Sequence, residues 1–392
     1  MIMRFAVVRG EVPAAHSRGT APAPPVKSPR DSGPVGPDRG VHRMASGPAV
    51  DLTLLRGFRY ACRPGCGLCC YAEPRVEPEE RAKLLAIAPD THLSRRSGGY
   101  FLRARPEGGG CECLNGTRCS VWPARPSPCR EFPVSVHVGD RLQASLVLTC
   151  PGIDLAPLAQ ASPRGEGAAP EGFDAELASV VRRVGPGTVR RLDAARRRRR
   201  RIVTALRATG QWIDEEEVRS RLRDHLPCPT VNDFPVEDPP SAEEGLELLP
   251  LFYAGSSAPW ALAAGLGGWE VLELRPEGGR SPPLAVVPPP ERPPEVTAGG
   301  QRLLEGYLRY FLDRDSLFGT VLPDVDVGGP FSVLQAAERE LRAIAALVLS
   351  RADVRRKALG GAAGSLTEGD VAEGIRASDQ DLLDRPGWGD LL

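Results

Sequence analysis

From residue 173 onward, apolar residues recur every three or four positions, which is the period of an amphipathic helix. The most regular stretch is 331–351, where Leu334, Leu341, Ile344 and Val348 fall on one face. The same spacing predicts further helices over 173–184, 188–209, 214–225, 241–249, 301–312 and 368–376. We therefore expect the C-terminal half to be mainly α-helical.

Alternation of apolar and polar residues is confined to short segments, which predict a few strands. Residues 134–138 and 141–148 are expected to form a hairpin across Gly139-Asp140. Residues 269–274 and 284–287 predict a second small β element around a turn rich in proline and glycine. Before residue 130 the pattern is irregular, apart from a helix predicted over 77–88.

These patterns divide the chain into four parts. Residues 1–45 lack apolar periodicity and are predicted to be a disordered extension, and the first residue could be Met1 or Met44. We expect a cysteine-rich domain over 50–155, a polar linker over 156–171 and a mainly helical domain over 172–392. The fold class is therefore predicted to be α+β, with a small irregular cysteine-rich metal-binding domain before a mainly α-helical domain that carries a small β element.

The charge balance argues against a nucleic-acid partner. The chain has 50 basic and 50 acidic residues, so its formal net charge is zero. The arginine run 196–201 lies in a predicted helix, which spreads these charges around its circumference, and no stacking aromatic residues accompany it. We interpret the run as a solvated helix face. Whether the chain has a protein partner is left open by the sequence.

The cysteines are better explained by metal than by disulfides. No apolar run reaches the roughly 18 residues that a transmembrane helix needs, and the N-terminal apolar stretch is short for a signal peptide. We therefore expect a cytoplasmic protein with no membrane partner. In that reducing compartment, ten cysteines indicate metal ligands, since thiolates bind zinc and iron strongly.

Nine of the ten cysteines lie between residues 62 and 150. The first group is the run CRPGCGLCC, in which turn-forming and small residues separate the thiols so that several can approach one ion. The later cysteines of the region are Cys111, Cys113, Cys119, Cys129 and Cys150. Such a concentration of thiols predicts a metal centre.

The pattern resembles the YkgJ-type cysteine-cluster family, named CxxCxxCC and described as zinc- or iron-chelating. The family has a cysteine run ending in Cys-Cys, then Cys-x-Phe-Leu, then Cys-x-Ile-Tyr-x-x-Arg-Pro-x-x-Cys-Arg-x-Phe-Pro, and often a late Cys-Pro-Gly. The matching positions are Cys62, Cys66, Cys69, Cys70, Cys111, Leu114, Cys119, Arg125, Pro126, Cys129, Arg130, Phe132, Pro133 and Cys150–Gly152. Two departures are Cys113, where the family has Phe, and Trp122, where it has Tyr.

The resemblance implies eight metal ligands: Cys62, Cys66, Cys69, Cys70, Cys111, Cys119, Cys129 and Cys150. They could hold zinc or an iron–sulfur cluster of the [4Fe–4S] type, in one site or two. Cys113 is interpreted as an additional thiol and Cys228 as a bystander. His92 and His137 are the histidines nearest to the thiols in sequence, and each is interpreted as structural.

Four residues beside the cysteines have predicted supporting roles. Arg125 and Arg130 are either donors to sulfur or structural arginines. Trp122 and Phe132 are expected to pack around the centre and exclude water.

Two classes of function follow. The first is a metal-binding protein whose centre is structural, redox-active or used in metal handling. The alternative is an S-adenosylmethionine-dependent protein lysine N-methyltransferase, because flagellin lysine N-methylase is similar in joining such a domain to helical sequence. No arrangement of residues predicts a catalytic site.

Overall fold

The computed structural model describes most of the chain after residue 48. The described residues are 49–63, 66–71, 73–96, 99–105, 110–116, 118–160, 171–184, 186–230, 233, 249–251, 260–265, 268–273, 275, 277, 282–288, 293–325, 327–361 and 364–383. The predicted extension 1–45 lies outside them.

The described helices are concentrated in the second half of the chain. In chain order they are α1 (Pro78–Leu85), α2 (Ser127–Glu131), α3 (Ala156–Ala159), α4 (Asp174–Arg183), α5 (Pro186–Ala208), α6 (Glu215–Asp224), α7 (Ala298–Leu312), α8 (Asp315–Asp324), α9 (Val333–Ala358) and α10 (Glu368–Leu383). Local sequence sets several of their starts. Thr297 and Ser332 each accept a hydrogen bond from a backbone N–H of the first turn of α7 and α9.

The described strands are short. They are β1 (Val50–Asp51), β2 (Arg75–Val76), β3 (Leu93–Arg96), β4 (Gly99–Leu102), β5 (Leu114–Asn115), β6 (Arg118–Cys119), β7 (Val134–Val138), β8 (Leu142–Leu146), β9 (Leu249–Leu251), β10 (Trp260–Gly265), β11 (Gly268–Glu273) and β12 (Ala285–Val287). They form four small sheets in the orders β1-β8-β7, β12-β11-β10-β9, β2-β4-β3 and β5-β6. The α+β class with an irregular cysteine-rich region is confirmed.

The hairpin β7–β8 links the cysteine region to the helices. Val134 pairs with Leu146 and Val138 with Leu142, so the predicted hairpin around Gly139-Asp140 is confirmed. Every residue of β8 is buried, and its apolar residues belong to the main hydrophobic core. After β8 ends at Leu146, the chain continues through Leu148 to Cys150.

The main hydrophobic core includes residues from both sides of the predicted linker 156–171. It contains the apolar residues of β7 and β8 together with the inner faces of α7, α8, α9 and α10. On α7, Gly306 lies so close to α3 that an added Cβ would be 1.6 Å from the Leu158 carbonyl oxygen. A second, much smaller core lies in the cysteine region and comprises Val76, Leu84, Ala88, Leu93, Leu102, Cys111, Cys113 and Val121.

The predictions of helices and strands hold in the main, and the larger differences are as follows. Leu249 begins strand β9, so the predicted helix 241–249 is wrong at its last residue, and residues 241–248 lie outside the described part. Helix α8, which runs from Asp315 to Asp324, was not predicted. Helices α9 and α10 continue seven residues past their predicted ends, because buried apolar residues extend their packed faces. Strand β10 was also missed, although it pairs with the predicted strand β11 along six residues.

Two further predictions concern the whole chain. Among the helices that the structure describes, none combines the length and the apolar character that crossing a bilayer would need. The division into domains at 156–171 stays a prediction.

Candidate metal centre

Five cysteines from four separate segments line one cavity. Cys69 and Cys70 lie on the one-turn helix Leu68–Tyr71, Cys119 ends β6, and Cys129 lies in α2. Cys111 begins the turn before β5. The inner cysteines are accordingly Cys69, Cys70, Cys111, Cys119 and Cys129, and they surround a cavity of about 30 Å³ together with Trp122 and Arg125.

Direct contacts join the inner cysteines. The Cys70 thiol is hydrogen-bonded to the sulfurs of Cys69 and Cys119. The backbone N–H of Cys111 donates to the Cys70 carbonyl oxygen at 2.6 Å, which brings the second cysteine segment against the first. The thiols therefore meet because backbone pairing aligns segments that are about forty residues apart.

Arg105 holds the turn that carries Cys111. Its guanidinium donates to the carbonyl oxygens of Cys111 at 3.0 Å, Glu112 at 3.1 Å and Leu114 at 2.8 Å. These hydrogen bonds tie one side chain to three carbonyl groups of the turn that runs from Cys111 to Leu114. Arg105 therefore positions Cys111 without touching the cavity.

Arg125 supplies positive charge beside the thiols. Its guanidinium stacks 3.6 Å from the centre of the Trp122 ring, and the ring is half exposed at one wall of the cavity. The hydrogen bond from Cys70, the N–H of Val121 and the Arg125 charge together lower the pKa of Cys119 to about 6. The hydrogen bond from Cys70, aided by Arg125, also lowers the pKa of Cys69. The Cys119 thiolate is thus stabilised at neutral pH before any cation binds, and the pKa of Cys69 is shifted in the same direction.

Burial has the opposite effect on Cys129. Removal from water, with the neighbouring thiols, raises its pKa well above the ordinary thiol value. Hydrogen bonds to Cys119 and Cys69 raise the pKa of Cys70. A cation in the cavity would therefore displace protons from these two thiols.

Arg130 has a structural role, as one of the two predicted alternatives stated. It donates to Glu80 Oε1 at 2.5 Å and to the Arg125 carbonyl oxygen at 2.6 Å. Glu80 also accepts from the N–H and hydroxyl of Ser127, so it ties α1 to the start of α2. Phe132 packs against the main core instead of the cavity, so its predicted place at the centre is wrong. Trp122 lines the cavity as predicted, although 52% of it is exposed.

The other three predicted ligands lie beside the cavity and do not line it. The outer cysteines are Cys62, Cys66 and Cys150, of which Cys62 is exposed and Cys150 is buried. Burial raises the pKa of Cys150 to about 12, and the nearby thiols of Cys66, Cys69 and Cys62 contribute to the shift. The outer cysteines are therefore near neighbours of Cys69, and their ligand role stays a prediction.

The turn at Cys150 is held from both sides. The Ala61 N–H donates to the Gly152 carbonyl oxygen at 3.0 Å, and an added Cβ at Gly152 would lie 2.5 Å from the Ala61 carbonyl oxygen. From α10, Arg376 donates to the carbonyl oxygens of Cys150 at 2.9 Å and Ile153 at 3.2 Å. The C-terminal helices thus fix the position of one predicted ligand.

The remaining candidate residues have different surroundings in the structure. His137 is fully buried in β7 and hydrogen-bonded to Ser145 at 3.1 Å, which supports its predicted structural role. Cys228 is exposed and lies outside the cysteine region. Cys113 lies in the same turn as Cys111, and its sulfur is 3.6 Å from Nδ1 of His92.

The inner cysteines suit a soft or borderline-soft cation. Within the described ranges, no three His, Cys, Asp or Glu side chains converge at the spacing of a finished ligand set. The five cysteines nevertheless line one cavity, and the Cys70 thiol is hydrogen-bonded to those of Cys69 and Cys119. Their donor chemistry fits zinc or iron, because thiolates favour both and the Arg125 charge offsets part of their negative charge.

Comparison with known proteins agrees with this chemistry. Residues 61–151 match the family model CxxCxxCC, described as "Putative zinc- or iron-chelating domain". No curated protein and no solved structure matches the chain. The match identifies this segment as a domain of the cysteine-cluster family and supports metal binding in general terms, and the methyltransferase alternative stays a prediction.

Several residues that shape the centre were not predicted from sequence. Arg105, Glu80 and Arg376 act through backbone carbonyls or other side chains that are distant in sequence. Arginine and glutamate are common surface residues, so their type alone gave no signal. Only their hydrogen-bond partners in the folded structure distinguish these three residues from ordinary surface residues.

Proposed function

We propose that the inner cysteines hold a metal centre that stabilises the cysteine region. The observation that carries this proposal is the single cavity lined by five cysteines from four segments. A cation bound there would join Cys69 and Cys70 to Cys111, Cys119 and Cys129 and so cross-link the region. The proposed role is therefore structural.

The size of the local core supports a structural role. The separate core of the cysteine region contains only eight buried residues, and two of these are cysteines. So small an apolar core contributes little stability, and a structural metal commonly supplies the difference. Removal of the metal should therefore loosen this region and leave the main core intact.

Contacts between the thiols favour one ion over a cluster. The Cys70 thiol is already hydrogen-bonded to the sulfurs of Cys69 and Cys119. Zinc binds four thiolates at about 2.3 Å, whereas a [4Fe–4S] cluster would require the sulfurs to separate. We therefore favour zinc as the occupant, and the iron–sulfur cluster is the alternative to be tested.

Anaerobic purification with metal analysis and an absorption spectrum tests the proposal. We expect zinc and no broad visible absorption, and we expect Cys119→Ser and Cys129→Ser each to lose one metal equivalent. The matched control, Cys228→Ser, should keep it, because Cys228 is exposed and remote from the cavity. A protein without zinc or iron would refute the centre, and a visible band with bound iron would replace zinc by a cluster.

Hydrogen exchange tests the structural role separately. Chelation should increase exchange in β4, β6 and α2, while α9 and α10 stay protected. Equal protection with and without metal would show that the centre does not stabilise the region.

A further inference from the structure

His92, Cys113 and Glu112 form a group of metal-ligating side chains beside the inner cysteines. The Cys113 sulfur lies 3.6 Å from His92 Nδ1. His92 Nε2 lies 4.0 Å from Glu112 Oε2 on the other side of the ring. Cys113 is 1% exposed, and the side chains of His92 and Glu112 are about one quarter exposed, at 26% and 21%. The imidazole therefore spans from a buried sulfur to a carboxylate near the surface.

Backbone hydrogen bonds fix this group in place. The Arg103 N–H donates to the His92 carbonyl oxygen at 2.9 Å, and the Glu112 N–H donates to the Arg103 carbonyl oxygen at 2.9 Å. The Ser120 N–H and hydroxyl both donate to the Cys113 carbonyl oxygen. Three separate segments are thus held together by main-chain contacts, and only side-chain rotation is needed to reorient the donor atoms.

The sulfur-to-nitrogen distance suits a shared zinc ion. With bonds of about 2.3 Å to sulfur and about 2.0 Å to nitrogen, a tetrahedral angle places the two ligand atoms about 3.5 Å apart. The observed separation of Cys113 Sγ and His92 Nδ1 is 3.6 Å. The two atoms can therefore bind one ion with little movement of the backbone.

A carboxylate lies on the side of the imidazole opposite Cys113. A histidine that binds metal through one ring nitrogen commonly donates its other N–H to a carboxylate. Glu112 Oε2 is 4.0 Å from Nε2, too far for a hydrogen bond as it stands, but its negative charge favours the proton on that nitrogen and leaves Nδ1, which is next to Cys113, free to bind metal. Arg103 Nη1 lies 3.7 Å from Glu112 Oε1 and helps to hold the carboxylate.

Cys111 supplies a third donor. Its sulfur accepts a hydrogen bond from the Cys113 N–H at 3.4 Å, and the two thiols are also hydrogen-bonded. Cys111 also lines the cavity of the inner cysteines. A thiolate at this position lies within reach of two neighbouring cations.

We propose that His92, Cys113 and Cys111 form a second metal site, selective for a borderline-soft divalent cation such as zinc, with Glu112 as the positioning residue for His92. Solvent completes the coordination. The site does not depend on the centre proposed above, although Cys111 is available to both. The chain would then hold two adjacent metal ions, one bound by thiolates alone and one with an imidazole ligand.

Zinc stoichiometry of the full-length protein tests this site. The wild-type chain, loaded with zinc and freed of excess metal, should hold one equivalent more than either His92→Gln or Cys113→Ala. Cys129→Ser should keep the imidazole-bound zinc, so failure of the inner centre and failure of this site give different results. Equal zinc content in wild type, H92Q and C113A would overturn the proposal, as would loss of both equivalents in H92Q and C113A when the wild-type chain holds two.

X-ray absorption at the zinc edge provides a readout that a merely structural histidine would not change. A nitrogen ligand at about 2.0 Å should be present in the wild-type protein and absent in H92Q. The matched control is His225→Gln, because His225 is an exposed histidine at the end of α6. An unchanged nitrogen contribution in H92Q would show that His92 is not a ligand and that its contact with Cys113 is a thiol–imidazole hydrogen bond only.

Discussion

At the residue scale, charge and hydrogen bonding prepare the inner cysteines unequally for metal. The Cys70 hydrogen bond and Arg125 lower the pKa values of Cys119, to about 6, and of Cys69, whereas burial raises that of Cys129. A cation that enters would meet the Cys119 thiolate and then displace protons from other thiols. The thiols with lowered pKa values should also be alkylated faster than those with raised pKa values.

Alkylation of Cys119 should therefore depend on pH in a defined way. Its pKa is lowered to about 6, so the reactive thiolate predominates above that pH and is lost as the pH falls through it. Arg125→Gln removes one cause of the shift and should raise the pKa. A rise of about one unit would slow alkylation about fivefold at pH 6.

The measurement is iodoacetamide labelling after chelation, quantified by mass spectrometry at each pH. Arg118→Gln is the matched control, because Arg118 is an exposed arginine beside Cys119 that does not contribute to the shift. Equal pH profiles for wild type and R125Q would contradict the assigned role of Arg125.

Arg105 should affect metal affinity without being a ligand. Arg105→Met removes three hydrogen bonds to the turn that carries Cys111. Loss of such supporting contacts typically weakens metal binding by about 10- to 100-fold. Competition with a chelator of known affinity measures the change, and Arg95→Met, at an exposed position on β3, should leave the affinity unchanged. Affinity equal to wild type in R105M would mean that the turn keeps its shape without the guanidinium.

At the scale of elements, α10 is coupled to the segment that carries Cys150. Arg376 donates to the Cys150 and Ile153 carbonyl oxygens, and its own carbonyl oxygen accepts from the Thr149 hydroxyl at 2.7 Å. The helix therefore both donates hydrogen bonds to this segment and accepts one from it. The contact gives the C-terminal helices a defined part in shaping the cysteine region.

Arg376→Gln should loosen the Cys150 turn. The change leaves buried carbonyl groups without their donor, which costs about 1–3 kcal/mol. Hydrogen exchange at residues 150–153 should rise, and urea unfolding should show the lower free energy of unfolding. Arg309→Gln is the control, because Arg309 forms only a half-exposed pair with Glu305 on α7 and should change stability by less than about 0.5 kcal/mol. An unaltered exchange rate at the turn would contradict the coupling.

Local sequence was sufficient for elements with a strong period and insufficient for those defined by packing. Helix α9 was predicted because its apolar face, with Leu341, Ile344 and Val348, is a local feature of the sequence. Helix α8 was missed because it is short, contains Pro323 and is stabilised by burial of Leu317, Phe318 and Val321 in the main core. Tertiary contacts decide such segments, and no window of sequence contains them.

The candidate site divides in the same way. The cysteine spacing and the family resemblance led to the eight predicted ligands, but spacing could not show that five of them line one cavity. That grouping depends on the backbone pairing of Cys111 with Cys70. The contact between His92 and Cys113 was likewise invisible, since 21 residues separate them along the chain.

At the scale of the whole molecule, a buried ion pair joins the hairpin to the C-terminal helices. Arg314 and Asp379 are both fully buried, with Nη1 and Oδ1 2.8 Å apart. Asp379 accepts from the Leu148 N–H at 2.7 Å and from the Tyr307 hydroxyl at 2.9 Å, and Arg314 donates to the Leu146 carbonyl oxygen at 2.8 Å. The chain that leads from β8 to Cys150 is therefore anchored in the main core.

Removal of one charge should cost far more than removal of both. Arg314→Met leaves a buried carboxylate without its counter-ion and should lower the free energy of unfolding by about 3–5 kcal/mol. In the double variant Arg314→Met/Asp379→Asn, the uncompensated charge is gone and the amide can still accept a hydrogen bond, so part of that loss should be recovered. Urea unfolding of the wild type, R314M, D379N and the double variant measures the coupling. Losses that simply add in the double variant would show that the two charges do not depend on each other, and the anchor would then rest on the individual hydrogen bonds to β8.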